Sequence, residues 1–379
     1  MSIIRPIDLS KEDEVETNQL EIEDIEGLGE GTDSSWGDYP IDTMLIRNEN
    51  RTVHDVLRRI EKGSFVMEPD FQRDFIWTED KQSKLVESVL MRIPLPVFYL
   101  AEDEDGRMVV VDGLQRLSTF QRFTRNRLRL KLPDQPVLDK KRFKELSAKL
   151  QNRIEDCNLI LYVIDAKVPE RARLDIFERV NSGEPLTRQQ MRNCLFMGKA
   201  TKFLKDEAHT DPFLNATGQS LKSATMRDRE FVNRFCAFQL LPLDEYRGDM
   251  DEFLAQTLKR MNKSEDAELE SLSSEFRTSL INNFHVFGKH AFRKHVEGKI
   301  GRSVLNASLW DVMSTGLSRY PVQIVKDRTD DLKAGFYRLM EDEGFIDAIT
   351  YGTNDMNKVR YRFAVSRALF KEVFDAYPT

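Results

Sequence analysis

Runs with the length and β-branched content of strands crowd into the first half of this 379-residue chain and nearly vanish beyond Thr187. From there apolar residues recur at helical spacing over about 187–207, 226–241, 249–262, 266–290, 303–317 and 356–376. The expected architecture is therefore α+β: a mixed unit over 43–185 followed by an all-helical unit over 186–379, with no internal repeat.

Local signals subdivide the first half. Thr52 is placed to cap a helix over 53–61, a short strand follows near 65–67, and Thr78 starts a helix that Pro94 and Pro96 stop near 91. Apolar runs at 97–101 and 108–111 flank the turn pair Asp105-Gly106 and read as a hairpin, with a helix beginning at Asp112-Gly113. A helix near 144–155, a buried strand over 158–164 and a helix opened by Pro169 complete the pattern; the last breaks at Asn181-Ser182-Gly183.

The net charge of -7 conceals an asymmetry. Residues 1–50 hold 14 Asp and Glu against 3 Lys and Arg, which leaves 50 acidic and 54 basic residues in a slightly basic body. The leader, residues 1–42, reads as a mostly disordered acidic tail, or as an arm that covers a basic groove. The longest aliphatic and aromatic run, 159–164, falls far short of the roughly 20 residues of a spanning helix, and the N-terminus lacks an apolar signal core, so a cytoplasmic protein is expected. Cys157, Cys194 and Cys236 have neither metal-like nor paired spacing, which excludes a zinc ribbon.

Chemistry concentrates at residues 108–119, where an apolar strand runs into a helix through Asp112-Gly113. A helix N-terminus presents free N–H groups and partial positive charge to a phosphate, and Gly113 permits close approach. Arg116, one turn in, carries a guanidinium suited to bidentate phosphate binding. Asp112 and Gln115 also have the spacing of an N-cap and its N3 partner, so a capping box without ligand remains the alternative.

This segment resembles the Asp-Gly-Gln-Gln-Arg signature of the N-terminal domain family of GmrSD-type modification-dependent restriction systems, with Leu114 at the first Gln. Further matching features follow in order: Gln72-Arg73 with Trp77, Ile93-Pro94-Leu95-Pro96, the stretch from Phe177 through Arg179, Asn181 and Gly183 to Leu186, Arg229-Glu230-Phe231-Val232 with Arg234-Phe235, and Leu305-Asn306 with Leu309. The resemblance covers roughly 50–315. It implies a ParB/sulfiredoxin-like core that binds and hydrolyses a nucleoside triphosphate of unspecified base, with Mg²⁺, coupled to action on foreign DNA. Carried over, it makes Asp112, Gln115 and Arg116 catalytic and adds Gly113 and Ser118 to the phosphate turn. Gln72 and Arg73 would lie beside that turn, with Arg179, Asn181 and Gly183 closing the pocket. The plainer readings are a loop residue and an ion pair for Gln72-Arg73, and a helix C-cap for Asn181 and Gly183. Leu114 either removes a catalytic amide, leaving binding without turnover, or faces the core.

Arg122, Arg125, Arg127, Arg129 and Lys131, interleaved with Phe120 and Phe123, form a candidate DNA-backbone contact, with a solvated face as the alternative. No metal site is expected: on one continuous helix the five-residue spacing of His285, His290 and His295 would turn each by about 140° from the last. The sequence has neither a Gly-x-x-x-x-Gly-Lys-Ser/Thr loop nor a recognisable Ser/Cys-His arrangement, so any DNA cutting is assigned to a separate nuclease or effector partner. A non-catalytic DNA-binding sensor or adaptor, and a homo-oligomeric assembly protein, are the competing readings.

Overall fold

A five-stranded mixed sheet organises the first half in the computed structural model, which describes residues 25–28, 46–67, 77–103, 105–168, 170–180, 187–298 and 301–375. The chain order is β1 (Ile25–Glu26), β2 (Ile46–Thr52), α1 (Val53–Glu61), β3 (Phe65–Val66), α2 (Glu79–Leu90), β4 (Phe98–Glu102), β5 (Met108–Asp112), α3 (Leu114–Thr124), α4 (Ala148–Glu155) and β6 (Asn158–Ile164). The sheet runs β2-β6-β4-β5-β3; β6 and β4 are parallel, as are β5 and β3, and the other two pairs are antiparallel.

Strand alternation divides the apolar residues between two cores. Phe98, Leu100, Val110, Leu161 and Val163 face Val56 of α1, Val86 and Val89 of α2, and Leu117, Phe120 and Phe123 of α3. Ala101, Val111 and Ile164 belong to the second core, built mostly from the helical half. The sheet is thus covered on both faces. The two caps expected from sequence form: the Thr52 hydroxyl accepts from the Asp55 amide, and that of Thr78 from the Lys81 amide.

Strand β6 departs from the expected fully buried strand. Leu159, Leu161 and Val163 are buried, whereas Ile160 is 41 % exposed. Its neighbour explains this: β2 is the polar edge segment Ile-Arg-Asn-Glu-Asn-Arg-Thr, which places Asn50 opposite Ile160. No apolar alternation marks β2 in the sequence, so backbone pairing with β6 decides it.

The helical half continues with α5 (Glu170–Val180), α6 (Arg188–Leu195), α7 (Lys199–Ala208), α8 (Asp211–Thr217), α9 (Arg227–Leu240), α10 (Met250–Lys263) and α11 (Asp266–Phe287). After β7 (Leu305–Asn306) come α12 (Ala307–Leu317), α13 (Val322–Asp327), α14 (Thr329–Glu341), α15 (Glu343–Thr350) and α16 (Met356–Phe370). Ala172, Leu174 and Phe177 place α5 in the second core. Trp310 is fully buried at its centre, and its indole N–H donates to the Phe231 carbonyl at 2.8 Å.

Charges are buried there as well. Asp311 of α12 accepts from Arg234 of α9 at 2.8 and 2.6 Å and from Arg362 of α16 at 2.9 Å, all three side chains being inaccessible to solvent. Asp251 receives Arg188 and Arg192, whose charges overcome burial and hold its carboxyl below the ordinary range. In such buried pairs desolvation offsets much of the attraction, so their net contribution to stability is smaller than their short distances suggest.

Among its described residues the leader contributes strand β1. Strand β1 pairs in parallel with β7, with Ile25 opposite Leu305 and Glu26 opposite Asn306. The Glu26 carboxylate accepts from Lys294 Nζ at 2.6 Å and from Asn306 Nδ2 at 3.2 Å, and Thr353 donates to the Gly27 carbonyl at 2.9 Å. Nothing in the acidic composition of the leader signals this docking.

Candidate functional site

Strand β5 meets α3 at residues 112–116, beside the segment that enters β4. Gly113, not Asp112, is the N-cap of α3; its φ of +99° turns the chain from strand to helix, and it offers no capping side chain. A Cβ there would meet the Phe98 ring at 2.2 Å, so both the dihedral and the space require glycine. The capping-box reading is accordingly overturned. Asp112 closes β5, its carboxylate accepts from Arg116 Nη2 at 2.7 Å, and Gln115 Oε1 is buried without a partner.

Arg116 turns inward. Its guanidinium donates to the Pro96 carbonyl, to that of Val97 at 3.0 Å and to Asp112, and lies over the Phe98 ring with 4.1 Å to the centroid. The residue is only 8 % exposed. Burial pushes its pKa below the ordinary value while the adjacent Asp112 pulls it upward; an arginine remains charged throughout. Sequence reasoning singled out the stretch 93–96 without its purpose: the last of those carbonyls, Pro96, is an acceptor for Arg116.

The amides of Leu114, Gln115 and Arg116 begin α3 with no capping side chain over them, and first-turn amides have no intrahelical acceptor. Asp112 retains partial exposure, its side chain being 32 % accessible. Leu114 is half-buried and packs against the first core, so its side chain helps form the wall behind the turn. Ser118 is buried on α3. Arg179 lies exposed in the last turn of α5, and Gln72, Arg73, Asn181 and Gly183 lie outside the described residues.

Residues 53–197, which contain the whole of this turn, match the family described as GmrSD restriction endonuclease, N-terminal domain. That segment is similar to the GmrSD N-terminal domain family. Neither the curated proteins nor the solved structures give a match to the chain. The GmrSD-like features noted in the helical half are packing residues in this fold. Arg234 joins the buried Asp311 cluster, and Asn306 caps α12 by accepting from the Leu309 amide at 2.8 Å.

The basic run divides. Arg122 donates to Gln82 Oε1 at 2.9 Å, Arg125 pairs with Glu61 and Lys131 with Asp80. Leu128, Leu130 and Leu132 are buried in alternation, which turns Arg127, Arg129 and Lys131 outward together along an extended segment. Among the described residues Arg127 and Arg129 make no ion pair. Phe120 and Phe123 are fully buried, so the expected aromatic interleaving is absent from this surface.

The histidines also depart from the helical geometry assumed for them. Helix α11 ends at Phe287, and the turn that follows stacks the His290 and His295 rings with centroids 3.9 Å apart. Among the described residues no group of three or more His, Cys, Asp or Glu side chains is arranged to hold a metal. No helix among them is long and apolar enough to cross a membrane.

Proposed function

We propose that this chain is a restriction-type defence protein acting on DNA, and that its 112–116 turn binds the phosphates of a nucleoside triphosphate within a ParB/sulfiredoxin-like core. The observation that carries the reading is the GmrSD N-terminal match, which spans the turn. The uncapped start of α3 supports it, and the unpartnered Gln115 oxygen, an acceptor, suits a sugar hydroxyl, a base N–H or a cation of the nucleotide, not a phosphate oxygen. Because the Asp112–Arg116 pair is internally neutralised, attraction for phosphate comes from the helix amides and their partial positive charge. Arg116 acts here as a positioning residue that fixes the turn against the carbonyls preceding β4. Asp112, partly exposed at the strand end, is the group that would receive Mg²⁺ accompanying the nucleotide.

The test is phosphate release and equilibrium nucleotide binding with ATP, GTP, CTP and UTP, with Mg²⁺, in the presence and absence of modified and unmodified duplex DNA. Wild type is compared with Gln115→Ala and Asp112→Asn. Loss of binding or turnover in folded variants supports the reading; unchanged binding in both removes nucleotide from the turn. A DNA-binding adaptor without turnover is the second reading, favoured by the outward row Arg127, Arg129 and Lys131. Salt-sensitive DNA binding that ignores nucleotide supports it. Cleavage, in either case, is assigned to a separate nuclease or effector.

A further inference from the structure

Far from the 112–116 turn, α9, α12 and α16 enclose an open cavity of about 180 Å³. Its wall is aromatic and its rim cationic. Phe238 and Phe363 meet with ring centroids 4.8 Å apart, and Phe370 packs so closely on Gly316 of α12 that a Cβ there would lie 2.0 Å from the ring. Arg319, Arg367 and Lys371 surround the opening, and none has a carboxylate partner among the described residues. On the wall lies Ser366, only 1 % exposed, whose hydroxyl has no hydrogen-bond partner.

These features are hard to explain by packing alone. A serine buried in a helix normally returns its hydroxyl to the carbonyl one turn back, as Thr315 does to Asp311 across the same cavity. An unpaired buried hydroxyl is destabilising, because it has given up its hydrogen bonds to water and gained none. Three like charges converging on one opening with no acid among them repel one another; burial and then the charge of Arg319 lower the Arg367 pKa. A ligand that supplies a hydrogen-bonding group at depth, negative charge at the rim and a flat apolar body between would resolve all three.

We propose that the cavity between α9, α12 and α16 binds a small aromatic anion, its ring against Phe238, Phe363 and Phe370 and its carboxylate or phosphate held by Arg319, Arg367 and Lys371. The size fits: the cavity lies below the roughly 300–1,000 Å³ of drug-sized sites, which suits one ring with one anionic group. This assignment stands independently of the nucleotide reading of the turn.

Calorimetric titration of the full chain with phenyl phosphate, benzoate and inorganic phosphate tests the assignment. Phenyl phosphate or benzoate is expected to bind roughly tenfold or more tightly than inorganic phosphate, the two aromatic probes distinguishing phosphate from carboxylate preference. Arg319→Gln combined with Arg367→Gln removes exposed cations without disturbing the core and should weaken binding roughly tenfold or more, from the loss of charge-assisted bonds. The remote hairpin variant Arg107→Gln should change nothing. Failure of both aromatic probes to bind at millimolar concentration, binding that survives the double substitution, or equal affinity for inorganic phosphate would each overturn the proposal.

Discussion

Replacing Arg116 by alanine removes a brace that joins the entry to β4 with the end of β5, and the loss can be bounded. The guanidinium gives up its bonds to the Pro96 and Val97 carbonyls, its pair with Asp112 and its place over the Phe98 ring. Hydrogen bonds to charged groups contribute about 1.5–3 kcal/mol each, but not additively. Removing one partner of a buried pair costs about 3–5 kcal/mol. Asp112 is partly exposed and regains water, which lowers that figure, while the stacking on Phe98 adds about 0.5–1 kcal/mol. We expect a net destabilisation of about 2–4 kcal/mol. Arg116→Lys should recover only part of it, because an ammonium lacks the planar fork that reaches both carbonyls and the carboxylate. Equilibrium urea unfolding followed by circular dichroism measures the difference as a shift in midpoint. A loss below about 1 kcal/mol would refute the brace; coupled with lost nucleotide binding, it would put Arg116 on the phosphate, the role expected from sequence.

Three other outcomes follow from the geometry. Asp311→Ala leaves Arg234 and Arg362 buried without their hydrogen-bonded carboxylate, and should cost about 4 kcal/mol or more, read as loss of soluble folded protein or a collapsed unfolding midpoint. Burial, followed by the charges of His295, Lys289, Arg293 and Arg302, holds the His290 pKa below its ordinary 6.5. The unfolded chain therefore takes up a proton that the folded chain refuses: stability is full above pH 6.5 and declines as pH falls through 6.5 toward the folded value, a slope that His290→Gln should remove in urea midpoints measured between about pH 5 and 7.5. If the outward row contacts DNA, Arg127→Gln with Arg129→Gln should lower affinity evenly across sequences and reduce the log–log salt slope by roughly 2 in fluorescence anisotropy; an unchanged slope would clear both residues of phosphate contact.

Helices and strands with strong local signals were legible in the sequence. The Thr52 and Thr78 caps, the β4–β5 hairpin and the strand-to-helix step at Gly113 were each announced by residues within a few positions. What escaped depends on distant partners. Strand β2 is polar and exists because β6 offers it an edge, and β1 exists because Lys294, Asn306 and Thr353 receive it from the other end of the chain. The strand-to-helix turn at 112–116 is marked in the sequence, but the orientation of Arg116 is not. Its acceptors are carbonyls, which every residue has and no sequence pattern marks. The stacked histidines illustrate the same limit: a helical wheel fails once the helix stops at Phe287.

Docking of β1 on β7 sets a schedule for making the protein. Glu26 and Asn306 are 280 positions apart, so at ordinary synthesis rates the leader emerges roughly 15–60 s before its receptor exists. Throughout that interval the sheet and its α1–α3 layer, whose contacts lie within residues 46–164, can be completed. Residues 25–28 can therefore dock only after Lys294, Asn306 and Thr353, which receive them, have been made. A probe placed on Lys294 or Glu26 would report the joining of the leader to the helical half.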